Sequence, residues 1–342
     1  MNKLSVIGLD LAKNVFQVHG INEDGDIVVR KQLKRREVLR YFARLEPCLL
    51  GMEACAGAHY WSRELSKLGH CVRLMAPAFV KPYVKSNKND RNDTEAICEA
   101  VQRPNMRFVA AKTPEQQAIL HLHHGRQLLL QQRVALNNHM RGVLLEYGIS
   151  LPKGTKVLSQ HLPGLLEDAE NPLPMITRHL LGELKVRHDE LNASIATLEN
   201  QIKSWHQANP ASQQLASIPG IGILTATALA ATIGQVQNFA NARQLAAYLG
   251  LVPRQHSSGG KEKLLGISKR GDGYVRRLLV HGARAVIRHI KRRLKAGQPG
   301  GNAWVEQCLQ RMHVNEVAVA LANKMARTAW ALLAHNETWR AA

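Results

Sequence analysis

The sequence predicts an α/β N-terminal domain followed by a mainly helical remainder. Three observations predict it. Short β-branched apolar runs alternate with helical segments over residues 1–112. Apolar residues then recur at sevens, fours and threes over 113–208. Finally, 209–342 opens on a glycine-turned, Ala-rich helical pattern and runs into a dense basic stretch. A chain of 342 residues suits about two domains and more than one core.

The first domain reads element by element. LSVIGLDLAKNVFQVHGI has the β-branched content of a strand and a continuation, NEDGD supplies a turn, and IVVRKQL a second strand, so a hairpin is expected. EVLRYFARL and AHYWSRELSKL read as helices, and LLGME and CVRLMAP as strands. FVKPYVKSNKNDRND reads as a loop, with helix resuming around Thr94.

In the middle region Leu122, Leu129, Leu136, Met140 and Val143 mark one coiled-coil-like seam, and Leu191, Ile195, Leu198, Ile202 and Trp205 a second. Two long helices follow, joined through the Pro- and Gly-containing stretch 151–174, as a spacer or a dimerisation arm. In LASIPGIGILTATALAATIG a tight PGIG turn between two helices gives a helix-hairpin-helix pattern. Gly220 and Gly222 could present N–H groups to a phosphate, or could simply let the hairpin pack on its neighbours.

Charge narrows the partners. The net charge is +20, which favours a polyanion. Between Arg254 and Lys295 thirteen Lys or Arg stand against two acids, Glu262 and Asp272, so over half the net charge sits in one segment. The five cysteines, Cys48, Cys55, Cys71, Cys98 and Cys308, are odd in number and form no CxxC, which argues against a disulfide framework and a zinc knuckle. Asp10 and Lys13 interrupt the N-terminal apolar run, and Lys324 and Arg327 break the C-terminal one. Neither a signal peptide nor a membrane span is read, and a cytoplasmic protein is expected.

Four acids stand out. Asp10 lies within a strand and Glu53 ends one, both in apolar surroundings where a lone charge is costly. Asp90 and Asp93 in KNDRNDTEA share a face if helix has already begun there, although Asp90 could instead cap it; Glu95 and Glu99 read as solvated. Carboxylates about 4 Å apart repel by about 4 kcal/mol, so a cluster of four calls for protons or a cation. Oxygen-only ligands suit Mg²⁺ or Mn²⁺, and a two-metal site on a phosphodiester fits a basic protein.

The order GLDLAK, GMEACAGAHYW, KPYVKSNKNDRNDTEAICEA, then PGIG, then AAYLGLVPRQHSSGGKEKLLGISKRGDGYVRRLL and VAVALANKMARTAWALL resembles the DEDD transposases of the insertion-sequence 110 family, in its 1111 group, over nearly the whole chain. Piv-type DNA invertases share the architecture. The resemblance implies an RNase H-like (RuvC-like) domain over 1–112 with Asp10, Glu53, Asp90 and Asp93 as Mg²⁺ ligands, a helical coiled-coil linker, and a C-terminal transposase domain carrying a serine nucleophile. The Ser-Gly step points to Ser258, with Ser257 as the alternative and His256 as a candidate base. Arg254, Lys261, Lys263, Lys269, Arg270, Arg276 and Arg277 are read as phosphate contacts. Ala56 stands where the family pattern has glycine. Also implied are donor and target duplex DNA, a guide RNA encoded by the element, and a dimer that pairs into a tetramer. The competing readings are a RuvC-like nuclease in which water attacks, a non-catalytic nucleic-acid-binding protein and, least supported, an actin-like ATPase.

Overall fold

A computed structural model describes residues 3–85 and 89–339, the side chains of Asp90 and Thr155 excepted. The chain forms two compact units, Met1–Pro114 and Glu115–Ala342.

The first unit is built on a six-stranded sheet. Its elements are β1 (Val6–Leu11), β2 (Val15–Ile21), β3 (Ile27–Lys34), α1 (Val38–Phe42), β4 (Leu49–Glu53), α2 (Ala58–Lys67), β5 (Cys71–Met75), α3 (Pro77–Val80), α4 (Asp90–Val101) and β6 (Phe108–Val109). The spatial order is β3-β2-β1-β4-β5-β6. β1, β2 and β3 pair antiparallel, β4 and β5 run parallel to β1, and β6 returns antiparallel. Both faces are covered, which is why β1 reads as a nearly continuous apolar run. Ile7, Leu9, Leu50 and Met52 pack with Val38, Phe42, Trp61 and Leu65 of α1 and α2 on one face. Val6 and Met75 pack with Ile97, Cys98 and Val101 of α4 on the other.

Three details differ from the expectation. Residues 4–21 make two strands, β1 and β2, and the hairpin expected from NEDGD follows as β2–β3. β6 is too short to carry a periodic signal. Helix resumes at Asp90, four residues before Thr94. The cap is Asn89 and not Asp90, because the Asn89 side chain accepts the Asn92 N–H at 2.8 Å.

The second unit contains α5 (whose span is Pro114–Glu146), α6 (Thr155–Glu167), α7 (Met175–Ala208), α8 (Pro210–Ala216), α9 (Ile223–Ile233), α10 (Ala242–Tyr248), β7 (Pro253–Gln255), β8 (Leu264–Ile267), α11 (Gly273–Lys295), α12 (Ala303–Arg311) and α13 (Val314–His335). The two expected long helices pair with each other. Arg126 donates to Glu199 at 2.7 Å, Arg133 to Asn192 at 3.0 Å, and Tyr147 and Thr177 hydroxyls meet at 3.1 Å, an antiparallel register. Leu136, Met140 and Val143 are consumed within this unit by α6 and α7. The 151–174 stretch carries α6, with Pro163 inside it. Beyond them, α9 is buried from Thr225 to Ile233, and α8, α10, α11, α12 and α13 close around it.

Each cysteine is free, and among the described residues no helix is long and apolar enough to cross a membrane. Burial raises the Cys48 and Cys98 thiols to about 11, so both behave as small core groups.

Candidate active site and nucleic-acid surface

The strand register brings Asp10 and Glu53 together. β1 and β4 run parallel with Leu9 opposite Met52, so the next residue on each strand is an acid. Neighbouring strands lie about 4.8 Å apart. Leu9 and Met52 point into the α1–α2 core, so by alternation Asp10 and Glu53 face the α4 side, each half-buried. Two residues earlier on that face stand Gly8 and Gly51. A Cβ on Gly8 would strike the Thr94 carbonyl and lie 2.7 Å from the Cys98 nitrogen; one on Gly51 would lie 2.8 Å from Val101 Cβ. α4 therefore rides directly on bare backbone.

The direction of α4 completes the arrangement. Cys98 lies by the Val6 carbonyl and Thr94 over Gly8, so the helix runs antiparallel to β1 and its N-terminus points toward Asp10. Asp90 and Asp93 occupy its first turns, toward the strand ends that carry Asp10 and Glu53; Asp93 is half-buried, and the Asp90 side chain lies outside the described residues. Cys55 reports the same neighbourhood. Burial pushes its thiol up, and the negative charges of Asp10 and Glu53 push it further. Among the described residues no three His, Cys, Asp or Glu side chains form a metal-holding group. The donor set nevertheless suits a hard cation, since Asp10, Glu53 and Asp93 offer oxygen alone. The remaining acids of the segment are spent elsewhere: Glu95 pairs with Lys85 at 2.9 Å and Arg30 at 3.8 Å, and Glu99 pairs with Arg103. Ala56 has an ordinary backbone, while Gly57 takes φ +85° to start α2, so alanine is unstrained at 56.

In the second unit the two serines part company. β7 and β8 form a hairpin whose tip is Ser258-Gly259-Gly260-Lys261. Gly259 and Gly260 take φ +56° and +76°, positive at both central positions as a type I′ turn requires, and Lys261 N donates to Ser258 O at 3.1 Å. Ser257 is held inside the hairpin, its hydroxyl oxygen accepting from Gln255 Nε2 at 3.1 Å and Lys263 N at 3.3 Å. Ser258 is exposed, and its hydroxyl has no hydrogen-bond partner among the described residues. His256 is exposed and ties into the hairpin through its backbone, its N–H donating to Lys263 O at 2.9 Å.

Both units have counterparts in known proteins. Residues 7–149 match a family model described as "Transposase", the DEDD model of the IS110 type, and residues 212–297 match "Transposase IS116/IS110/IS902 family". A "Probable family 20 transposase" of Pseudomonas aeruginosa is 50% identical over 338 residues, 98% of this chain and 99% of that one. The chain belongs to the IS116/IS110/IS902 family of transposases. The "Transposase for insertion sequence element IS1111A" of Coxiella burnetii is 43% identical over 99% of this chain and 92% of its own length. The "Transposase for insertion sequence element IS1328" of Yersinia enterocolitica is 44% identical over 96% and 97%. As a member of this family the chain is a DNA transposase.

The predicted basic contacts of this transposase fall into two groups. Arg254, Lys261, Lys263, Lys269, Arg270 and Arg277 are exposed. Arg276 is half-buried, and its Nη1 donates to Leu249 O at 3.0 Å and Arg270 O at 3.1 Å, fastening the corner from which the hairpin leaves. That corner is tight: a Cβ on Gly250 would lie 2.7 Å from the Arg270 nitrogen, and Lys269 sits at φ +55°. Gly220, at φ +89°, packs against α11, where a Cβ would meet Gly282 O at 3.0 Å. Gly222 is exposed with open space about its Cα.

Two sets of residues escaped the sequence reading. Gly8 and Gly51 are the seats for α4, and the repeated glycine-x-acid spacing of GLD and GME was the available signal. The exposed cations of α11 beyond Arg277 entered only as part of a charge count.

Proposed function

We propose that this transposase cuts and rejoins DNA with Ser258 as the nucleophile, and that it uses a carboxylate-held Mg²⁺ site formed by Asp10, Glu53, Asp90 and Asp93. The observation that carries the reading is the hairpin tip, where one of two adjacent serines offers an exposed, unbonded hydroxyl. The strand order, with β1, β2 and β3 antiparallel, β4 and β5 parallel to β1, a short antiparallel β6 at the edge and helices on both faces, supports the RNase H-like assignment of the first unit.

In this mechanism the Ser258 Oγ attacks a phosphodiester phosphorus. A new Oγ–P bond forms as the bond to one deoxyribose oxygen breaks; the serine proton leaves to solvent and the departing oxygen takes one up. The phosphoserine ester keeps the bond energy, so a second strand's hydroxyl can reverse the exchange without ATP. A divalent ion, when bound, supplies Lewis-acid stabilisation of charge on the phosphoryl group. Asp10 and Glu53 would hold it from the strand ends, with Asp90 and Asp93 from α4. The exposed cations Arg254, Lys261, Lys263, Lys269, Arg270 and Arg277, with the Gly222 N–H, would position phosphates.

The resemblance further supports a guide RNA encoded by the element, whose pairing would select donor and target DNA. Apolar residues left exposed on the arm, Leu128, Val134 and Leu145 on α5 and Ile176, Leu180 and Val186 on α7, support a dimer that pairs into a tetramer through it.

The test is covalent trapping. The protein, co-expressed with RNA from the element flanks, is incubated with Mg²⁺ and labelled element-end DNA, and a denaturation-resistant adduct is sought. Loss with Ser258→Ala and retention with Ser257→Ala is the expected result. Cleavage without an adduct, indifferent to both changes, would favour a water-using nuclease and end the serine reading.

A further inference from the structure

One face of α11 stays outside the core. Its opposite face is core: Val275, Leu279, Ala283, Ile287 and Ile290 are buried. Arg277, Arg284, Arg288, Lys291, Arg292 and Lys295 are all exposed. At 100° per residue these six fall within an arc of about 100°, with His281 among them. They form one straight stripe about 27 Å long, from the 1.5 Å rise per residue.

Among the described residues no carboxylate pairs with this charge. The segment 273–295 contains no Asp or Glu. Among the described residues the ion pairs involve other basic residues, and no α11 cation is in one. Arg284 donates to Asn315 Oδ1 at 3.2 Å and Arg292 contacts His289 at 3.3 Å, and neither partner is a carboxylate. Like charges at i, i+4 and i, i+3 oppose helix formation, so the stripe is a standing cost to the isolated chain. An external polyanion removes that cost.

Position says which polyanion. The serine hairpin and α11 leave from the same corner, fastened by Arg276 to Leu249 and Arg270. Asp272 caps the helix by accepting from Tyr274 and Val275, one residue after Gly271 closes that corner. We infer that the exposed face of α11 is a sequence-blind track for the backbone of the duplex DNA that Ser258 engages, running away from the reacting phosphate. The choice of DNA rests on the serine reading above. The length of the stripe corresponds to about eight base pairs of axis at 3.4 Å each. A straight row of cations along one helix face suits a row of phosphates.

The experiment is a salt titration of duplex binding with three proteins: wild type, an Arg284→Gln/Arg288→Gln/Lys291→Gln variant, and a variant with Arg284→Lys and Arg288→Lys. The Gln variant is expected to lower the slope of log K against log salt by about 2–3, equally for duplexes of unrelated sequence. The Lys variant is expected to keep the wild-type slope, which also separates charge from folding. An unchanged slope in the Gln variant would overturn the inference. So would a change seen with element RNA and absent with duplex DNA, which would assign the face to RNA. Ser258→Ala, run alongside, is expected to keep the slope and lose the adduct. Persistence of the adduct there would break the serine reading without moving the slope, so the two failures are distinguishable.

Discussion

α7 and α11 are both long, charged helices, and they handle charge in opposite ways. On α7 Lys185 pairs with Asp189 at 2.5 Å and Arg187 with Glu190 at 2.8 Å, while Glu199 receives Arg126 from α5. Each of these charges has a partner within a turn or on the adjoining helix, so α7 answers its charge internally. α11 carries its cations in one row with no acid to answer them. A charge run is therefore not evidence of binding in itself. The arrangement that calls for an outside partner is one sign, one face and no internal counter-charge.

The comparison breaks most sharply at the seat of α11. Gly282 faces Gly220, and a Cβ on Gly282 would run into the Gly220 carbonyl, with Met325 Cε at 3.3 Å. Gly282→Val is expected to cost about 3 kcal/mol or more, read as a shift in the urea midpoint. Gly182 on α7 has open space, with nothing within 4 Å of where a Cβ would stand, so Gly182→Ala is expected to stabilise by up to about 1 kcal/mol.

Next in size is a pH effect at the N-terminal end of α11. His123 is fully buried, with Nδ1 2.9 Å from Tyr274 Oη and Nε2 2.9 Å from Thr227 Oγ1. The Thr227 hydroxyl already donates to Ile223 O at 2.8 Å, so Nε2 carries the proton toward it and Nδ1 accepts from Tyr274. Burial, with the Arg126 and His124 charges, lowers the His123 pKa from 6.5 to about 4. The unfolded chain then binds a proton that the native state refuses between these values. Stability is full above pH 6.5 and falls as pH drops toward 4, by roughly 2–3 kcal/mol from this group. Denaturant melts of wild type and His123→Gln across that range check it; an equal pH slope in both would remove His123 as the source.

The smallest effects sharpen the comparison itself. Lys185→Ala on α7 is expected to lose about 0.3–0.5 kcal/mol, because an i, i+4 pair is broken. Neutralising Arg284, Arg288 and Lys291 on α11 is expected to leave stability unchanged or raise it by a few tenths of a kcal/mol at low salt, because repulsion is relieved. Thermal melts of both variants at two ionic strengths check the signs. Equal losses in both would mean that α11 is internally compensated after all.

Much of the architecture was legible in the residues. The alternation of apolar runs and helical segments pointed to the α/β first unit, and Asp10 and Glu53 drew notice because acids in apolar strands need a reason. Heptad-like spacing found α5 and α7. Other features were out of reach for physical reasons. The start of α4 depends on the Asn89 cap, which outweighed the loop-like composition around it. Gly220 was open between phosphate binding and packing, and its close approach to Gly282 involves residues sixty-two apart.

By itself the sequence determined the kinds of chemistry present: carboxylates at strand ends, adjacent serines before two glycines, and an excess of cations concentrated in one segment. Those follow from residue type and spacing along the chain. Tertiary structure alone decided which members of each set are available. The β1–β4 register set Asp10 beside Glu53, hairpin pairing occupied the Ser257 hydroxyl and left Ser258 free, and a tight corner drew Arg276 inward while Arg277 stayed outside. Neighbouring residues of identical type differ only in what the folded backbone places against them, and hydrogen bonds and burial, which are properties of the fold, make that choice.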